Sequence, residues 1–202
     1  MCKLCALTNI EKMKNYILII FFFTIISGCC KDELVESYGL NEFEKTLIPY
    51  NSLQDLKFID EEGNIFIANS QPKESVLDLD RAGPESCEIT EFEVETSFLD
   101  FQSKNISIKL ELVASDFTDF ILRTSNSTPN LNERFDLACE GLFSMTIEER
   151  LTNLTIDSFE YQNVLVFQNC SESIQIEKII YSLVNGIEFI KFNEGKWLKL
   201  NE

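Results

Sequence analysis

The sequence predicts a mainly β protein, an antiparallel up-and-down sheet that is half-barrel or barrel-like, with at most short helices. Three observations predict this fold class. Apolar and polar residues alternate with a period of two in several stretches, and Gly-containing turns separate apolar runs. No stretch of helical periodicity is longer than about ten residues. A sandwich of two sheets is the alternative.

Alternating stretches predict the individual strands. In each stretch, every second residue is apolar and its neighbours are mostly polar, which would give a strand one apolar face. The apolar positions are Phe92 and Val94; Ile106, Ile108, Leu110 and Leu112; and Phe135, Leu137 and Cys139. This alternation is typical of an antiparallel sheet that buries one face.

Turn residues predict where the chain reverses. Asn185-Gly186 separates two apolar runs and is the strongest hairpin signal in the chain. Two further turns are predicted at Glu62-Gly63-Asn64 and Asn193-Glu194-Gly195. Residues 69–86, which contain two prolines and a glycine, and residues 125–132 are predicted to be long loops.

Composition excludes several classes of function. The 202 residues contain 17 Lys and Arg, 34 Asp and Glu and no His, for a formal net charge of −17. Such a surface repels nucleic acid, which therefore is not an expected partner. The missing histidine excludes His-based catalytic triads and histidine–zinc sites. We expect no cofactor and no metal site, and we do not expect an enzyme.

The N-terminus has the pattern of a secretion signal. Ile17–Ile26 is apolar except for one threonine and follows Lys12 and Lys14. This run is about half as long as a membrane-spanning helix requires, but it suits the apolar region of a signal peptide. Residues 1–28 are therefore predicted to be a signal peptide, and its true start is predicted at Met13.

The end of this signal resembles the lipobox of bacterial lipoproteins. Ile26-Ser27-Gly28-Cys29 places a branched apolar residue and two small residues before a cysteine. The resemblance implies cleavage before Cys29 and its lipidation, which would anchor the protein in a membrane. An ordinary signal peptide, or cleavage before Cys30, is the alternative. We expect residues 29–50 to be a tether and residues 51–202 to be a single β-rich domain.

Two further resemblances concern the Bacteroidota. Cys30-Lys31-Asp32-Glu33 is similar to the lysine-plus-acidic signal that sends their lipoproteins to the cell surface. This similarity implies an outer-membrane location facing outward; the alternative is a solvated, charged tether. The C-terminal stretch from Tyr161 resembles the ending of small Bacteroidota lipoproteins, with Gly195 and Trp197 at the matching positions. It implies a type of fold and no activity.

The cysteines of the domain are candidates for a disulfide, because secretion allows disulfides. Cys139 shares its face with Leu137, and Cys87 has the parity of Ile89, so both are expected to point inward. A Cys87–Cys139 bridge is the first choice and a Cys139–Cys170 bridge the second. Buried free thiols are the alternative.

Two sets of side chains could contact a ligand. Tyr161, Tyr181, Phe189 and Trp197 form a candidate aromatic platform, although such residues also close β cores. Glu91, Glu93 and Glu95 alternate along one strand, where a solvent-exposed face is the simplest interpretation and a groove or Ca²⁺ site is the alternative.

These features favour a lipid-anchored envelope or cell-surface lipoprotein with a non-enzymatic binding or structural role. The expected partners are the membrane, through the N-terminal acyl anchor, and an apolar small molecule or an envelope protein. The alternative is a carboxylate-based hydrolase acting on glycans or peptides, which would need two acids with divergent pKa values.

Overall fold

A computed structural model describes residues 31–126, 132–137, 145–169 and 175–201. Within these ranges, no helix has the length and apolarity that a membrane span requires. The predicted mainly β fold is confirmed. The strands are β1 (Glu33–Tyr38), β2 (Gln54–Asp60), β3 (Ile65–Ser70), β4 (Glu74–Arg81), β5 (Glu88–Phe101), β6 (Ile106–Val113), β7 (Asp119–Asn126), β8 (Asn132–Asp136), β9 (Thr152–Ile156), β10 (Phe159–Asn169), β11 (Ile176–Ser182), β12 (Gly186–Phe192) and β13 (Trp197–Leu200). Short 3-10 helices span Glu44–Thr46, Gln102–Lys104 and Glu148–Arg150.

Ten of these strands close into an antiparallel barrel, so the sandwich alternative is wrong. The order around the barrel is β5-β3-β2-β13-β12-β11-β10-β8-β7-β6, and β6 pairs with β5 to complete the ring. Closure leaves no edge strand in the ring itself. The other strands lie outside the ring, where β1 and β4 pair with β5, and β9 pairs with β10.

The chain divides into two compact units rather than the single domain expected for residues 51–202. Among the described residues, the smaller unit contains 31–36 and 80–90, and the larger contains 37–79 and 91–201 with its gaps. In the smaller unit, the Glu33 N–H donates to the Cys87 carbonyl oxygen at 2.7 Å. The Arg81 guanidinium binds the Asp32 carboxylate at 2.7 Å in the same unit.

Along the strands of the barrel, the apolar residues of the alternating stretches point inward and the polar residues between them point outward. The side chains of Ile108, Leu110 and Leu112 are fully buried, and their charged neighbours on β6 face outward. Phe135 of β8 is likewise fully buried, whereas Cys139 lies outside the described residues. The period-two pattern therefore predicts the face of these strands correctly.

Turn signals at the three hairpins are confirmed as well. Gly63, Gly186 and Gly195 have φ angles of 83°, 77° and 81°, a region that favours glycine. The prediction of a loop over residues 69–86 is wrong in part, because Glu74–Arg81 forms β4. Every residue of β4 is exposed, so this strand has no buried face. The adjacent apolar residues Val76 and Leu77 also interrupt the alternation of apolar and polar residues that would predict a strand.

The interior of the barrel is filled by the chain's own N-terminal segment, which corrects the expectation of a tether up to residue 50. Leu40, Leu47, Ile48 and Tyr50 are at most 5% exposed and belong to the main core. This segment fills the lumen with a single 3-10 turn at Glu44–Thr46 and otherwise irregular backbone, so its apolar residues follow no period that a sequence pattern could reveal.

Two tyrosine hydroxyl groups connect this segment to the barrel wall. The Tyr181 hydroxyl donates to the Leu47 carbonyl oxygen at 2.6 Å. The Tyr50 hydroxyl accepts a hydrogen bond from the Ile187 N–H at 3.0 Å. Burial raises the pKa of both tyrosines, so their hydroxyl groups stay protonated and keep these bonds over the physiological range.

Two acidic residues of β5 hold the same segment, so the solvent-face interpretation is wrong for Glu93 and Glu95. The Glu95 carboxylate, with its residue only 5% exposed, pairs with the Lys73 ammonium at 3.1 Å. Lys73 also donates to the Lys45 carbonyl oxygen. The Glu93 carboxylate accepts from the Leu40 N–H at 2.9 Å. Glu93, directly, and Glu95, through Lys73, are therefore internal anchors for the lumen segment.

We expect Glu95→Ala to lower the free energy of unfolding by about 3 kcal/mol, because it leaves the partly buried Lys73 ammonium without its counter-ion. Glu91→Ala is the matched control on the same strand, since the Glu91 carboxylate accepts a hydrogen bond from the exposed Ser37 hydroxyl. Urea unfolding monitored by circular dichroism measures both variants. Equal losses in the two variants would contradict the anchoring role of Glu95.

Candidate ligand-binding cleft

Turn residues of neighbouring hairpins meet at one end of the barrel and form a cleft of about 370 Å³. They meet because β2, β13 and β12 are adjacent and antiparallel, as the pairing of Asp60 with Leu198 shows. The lining residues are Asp60, Glu61, Glu62, Lys104, Gln175, Phe192, Glu194, Lys196 and Trp197. We call this site the end cleft.

The end cleft and the lumen segment occupy opposite ends of β12. Gly186, at the start of this strand, adjoins the Tyr50 ring. Phe192, at its other end, lines the cleft. The cleft therefore lies at the end of β12 that is farther from the contact between Gly186 and Tyr50.

The β2–β3 turn is built around the Asp60 carboxylate. This group accepts hydrogen bonds from the Glu62 N–H at 3.0 Å, the Asn64 N–H at 2.8 Å and the Asn64 side-chain amide at 3.0 Å. These donors, the Asn64 amide foremost, lower the pKa of Asp60. Asp60 is thus held as a charged hydrogen-bond acceptor at the wall of the cleft.

We expect Asn64→Ala to raise the pKa of Asp60 toward its ordinary value, measured by NMR titration of the side-chain carboxyl. Asp60 has a lower pKa in the folded protein than in the unfolded chain. Its hydrogen bonds therefore stabilise the folded state fully at pH values above the unfolded pKa. This stabilisation is lost as the pH falls through the folded-state pKa. Asn69→Ala is the control, since Asn69 bonds Asp55 instead. An unchanged Asp60 titration in Asn64→Ala would contradict this account of the turn.

Two lysine side chains, Lys104 and Lys196, contribute positive charge to the cleft. The Lys104 ammonium lies 4.3 Å from the centre of the Phe66 ring, a cation–π contact that positions its side chain. Lys104 also contributes to lowering the pKa of Asp60. The Lys196 ammonium is 3.6 Å from the Glu194 carboxylate. The cleft therefore presents donors and acceptors of both charges side by side.

The aromatic wall is fixed by packing. The Trp197 ring stacks on Phe189 with centroids 5.8 Å apart and meets the edge of Phe159 at 5.2 Å. The Trp197 N–H donates to the Glu61 carboxylate at 3.4 Å, which links the β13 backbone to the β2–β3 turn. Trp197 remains partly exposed and lines the cleft.

The predicted aromatic platform is only partly assembled. Tyr161, Phe189 and Trp197 come together in a second core on the outside of the barrel, where the β9–β10 hairpin covers β11 and β12. Tyr181 points into the lumen instead, because adjacent residues on β11 face opposite sides and Ile180 takes the outer one. Of the four, only Trp197 lines the end cleft.

Tyr161 and Phe189 therefore pack as core residues rather than contact a ligand. Phe189 is fully buried and Tyr161 is 7% exposed. Burial, with the nearby carboxylates of Glu188 and Asp157, raises the pKa of Tyr161. This phenol stays protonated, and its packing matches the alternative interpretation of these aromatic residues as a β core.

The cysteine predictions lie mostly outside the described residues. Cys29, the predicted lipidation site, and Cys139 and Cys170 are not among them. Cys87 is described and is disulfide-bonded. The pairing of Cys87 with Cys139 stays a prediction. In the part of the chain that the structure describes, no group of three or more acidic or cysteine side chains is arranged to hold a metal ion.

Sequence reasoning missed most of the cleft residues. Asp60, Lys104, Gln175 and Glu194 lie in or beside turns, where charged residues are common and carry no functional signal. The turns at 62–64 and 193–195 were predictable, but their proximity depends on the order of strands around the barrel. Trp197 was the one available signal, since it is the single tryptophan of the chain.

No protein family, curated protein or solved structure matches this chain. The chemistry of the end cleft therefore rests on its own side chains. A rigid indole beside carboxylates, ammonium groups and an amide can bind a small polar molecule by stacking and by hydrogen bonds.

Proposed function

We propose that the protein is a non-enzymatic, lipid-anchored lipoprotein of the outer membrane, facing the cell surface, that binds a neutral saccharide in the end cleft. One observation carries this proposal: the lumen of the barrel is filled by the chain itself, while the end cleft holds mixed charges beside a packed tryptophan. The lipobox-like Cys29 and the segment that follows it support the anchor and its location.

The charges of the cleft favour a hydroxyl-bearing ligand. Each hydroxyl group both donates and accepts, so it can use a carboxylate and an ammonium group that lie near each other. The lining contains the four carboxylates of Asp60, Glu61, Glu62 and Glu194 and the two ammonium groups of Lys104 and Lys196. The net negative charge disfavours anionic ligands, and the lysines disfavour a purely cationic one.

The filled lumen argues against transport of an apolar small molecule, the ligand class first expected from the sequence. A barrel that carries such a ligand needs an empty apolar interior. Here Leu47, Ile48 and Tyr50 occupy that space and are at most 1% exposed. The end cleft is a concave site of the larger unit that remains available for a small ligand, and its lining includes several charged side chains.

The alternative of a glycan hydrolase has one supporting feature, a group of carboxylates in a cleft. Hydrolysis needs one carboxylate and one carboxylic acid with a raised pKa. The hydrogen bonds of Asp60 lower its pKa, which suits a base or a simple acceptor. Release of reducing sugar from a bound oligosaccharide would establish the hydrolase and overturn the binding role.

Binding of the acylated full chain, solubilised in detergent, to a glycan array tests the proposed ligand class. We expect retention on a subset of neutral saccharides and a loss of at least about tenfold, or 1.4 kcal/mol, in Trp197→Ala. Phe117→Ala is the control, because Phe117 is half-exposed on the turn between β6 and β7, at the other end of the barrel. If no saccharide on the array retained the protein, the proposal would be overturned.

Metabolic labelling with palmitate tests the anchor independently of the ligand. We expect the label to be incorporated into the full chain and lost in Cys29→Ala, because the predicted acylation depends on that thiol. Cys30→Ala is the matched control and should retain the label. Label that persists in Cys29→Ala would contradict the anchor, and protection from protease added to whole cells would contradict the surface location.

A further inference from the structure

We infer that the larger unit docks on a lipid bilayer through three apolar residues at the end of the barrel opposite the end cleft. Leu53, Phe117 and Val184 are 72%, 51% and 80% exposed. Leu53 directly precedes β2, Phe117 lies between β6 and β7, and Val184 lies between β11 and β12. We call these three residues the apolar tips. Transfer of such side chains from water into the interface of a bilayer is favourable.

The directions of the strands place the apolar tips at one end of the barrel. β2 begins after Leu53 and ends at Asp60, which lines the end cleft. β12 begins after the turn that holds Val184 and ends at Phe192, another lining residue. β6 begins just after Lys104, which also lines the cleft, and ends before the turn of Phe117. Each tip therefore lies at the end of a strand whose other end borders the cleft.

The connections at the two ends of the barrel differ in composition. At the cleft end, residues 61–64, 102–105 and 193–196 are all polar or glycine, which is the usual composition of turns. At the opposite end, residues 49–53, 114–118 and 183–185 contain the three apolar tips and one charged residue, Asp116. Single exposed apolar residues are common on protein surfaces. Among these six connections they occur at one end alone, which indicates an apolar contact there.

The apolar tips are distributed around the rim of the barrel and do not form a groove. In the closed ring, β3 and β5 lie between β2 and β6, β8 and β10 lie between β7 and β11, and β13 lies between β12 and β2. Three points around a rim define a plane, so the tips fit a flat surface. A bilayer offers such a surface, whereas a bound peptide requires a groove or a free sheet edge.

Hydrogen bonds hold the turns of two tips in place. The Ser115 hydroxyl donates to the Phe117 carbonyl oxygen at 2.6 Å. In the turn of Val184, the Asn185 N–H donates to the Ser182 hydroxyl oxygen at 3.0 Å. These turns therefore lose little conformational entropy when their apolar side chains enter a bilayer.

The position where the chain enters the larger unit supports a bilayer as the partner, and this step rests on the proposed acylation of Cys29. Ser37, the first residue of the larger unit, follows Cys29 by eight residues. The Leu40 N–H then donates to the Glu93 carboxylate at 2.9 Å. The Glu93 carbonyl oxygen accepts from the Ala114 N–H at 2.9 Å, at the start of the turn between β6 and β7. Eight extended residues span at most about 29 Å, so the anchor keeps the end that carries the tips close to the bilayer.

Quenching of tryptophan fluorescence by brominated lipid tests the inference. Phe117→Trp and, separately, Val184→Trp are made in the Trp197→Phe background, so that each variant has a single indole. The full chain is purified from membranes and reconstituted into phosphatidylcholine vesicles that carry bromine on the acyl chains. We expect emission from positions 117 and 184 to be lower than in vesicles of unbrominated lipid, because bromine quenches an indole that lies in the apolar layer.

Ile65→Trp in the same background is the matched control. Ile65 is 62% exposed, but it follows the β2–β3 turn at the cleft end, so its emission should not change. Unchanged emission from both tip positions would overturn the docking, and so would equal quenching at position 65. Unchanged emission together with a cross-linked dimer would assign the tips to a second copy of the chain instead.

Palmitate labelling of the same preparations separates this inference from the proposed anchor. Label on Cys29 with unquenched tips would overturn the docking and leave the anchor intact. Quenched tips without that label would overturn the anchor and leave the docking intact.

Discussion

Gly186→Ala is expected to lower the free energy of unfolding by about 2–5 kcal/mol. Of this loss, about 1–2 kcal/mol comes from placing alanine in a left-handed backbone conformation. About 1–3 kcal/mol comes from overpacking of the core. A Cβ atom at this position would lie 2.2 Å from the Tyr50 hydroxyl oxygen and 2.5 Å from the Cζ atom. Tyr50 is fully buried in the lumen and cannot move away without leaving the core. Chemical denaturation followed by circular dichroism measures the loss.

Gly63→Ala separates the two contributions. Gly63 has a φ angle of 83°, close to the 77° of Gly186, but no atom lies within 4 Å of the position that its Cβ atom would take. We expect this control to lose only the backbone part, about 1–2 kcal/mol. Equal losses for the two alanine variants would show that the close approach of Tyr50 to β12 has no energetic consequence.

Tyr50→Ala is expected to cost about 3–5 kcal/mol, because it removes a large side chain from the filled lumen. The ring is 1% exposed and belongs to the main core. Loss of its hydroxyl also leaves the buried Ile187 N–H without the oxygen that now accepts its hydrogen bond at 3.0 Å. Thermal unfolding of the full chain would show a correspondingly lower midpoint.

Tyr50→Phe tests how much of this effect comes from packing. The phenyl ring keeps the lumen filled, so we expect only the cost of the unsatisfied Ile187 N–H, about 1–3 kcal/mol. A Tyr50→Ala variant as stable as the wild type would mean that residues 40–50 are not part of the folded barrel. The sequence-based expectation of a tether would then be right for this segment.

The β fold was predictable because its signals are local. The alternation from Ile106 to Leu112 and the Asn185-Gly186 turn are each read from a few adjacent residues, and both have the expected structure. The lumen segment was not predictable, since Leu47 and Tyr50 are buried by residues more than 100 positions away, such as Tyr181 and Ile187. No local period marks a segment that fills a barrel.

The difference between local and long-range signals also explains why the residues of the candidate site were predicted only in part. The single tryptophan, Trp197, marks the aromatic residues near the C-terminus as candidates. Which of them faces a ligand depends on strand faces and on the β9–β10 hairpin. Tyr181 shows this dependence, because it points inward while Trp197 lines the cleft. Asp60 and Lys104 become neighbours only because β3 lies between β2 and β5 in the order of strands.

Fluorescence of Trp197 is the most direct test of ligand binding in the end cleft, since the chain contains one tryptophan. The full acylated chain in detergent is titrated with maltose, cellobiose or N,N′-diacetylchitobiose, with spermidine and palmitate as a cationic and an apolar comparison. We expect a saturable change of emission with a saccharide, weakened in Lys104→Ala, and no change with spermidine or palmitate. A change with palmitate alone, or no change with any of the three saccharides, would contradict it.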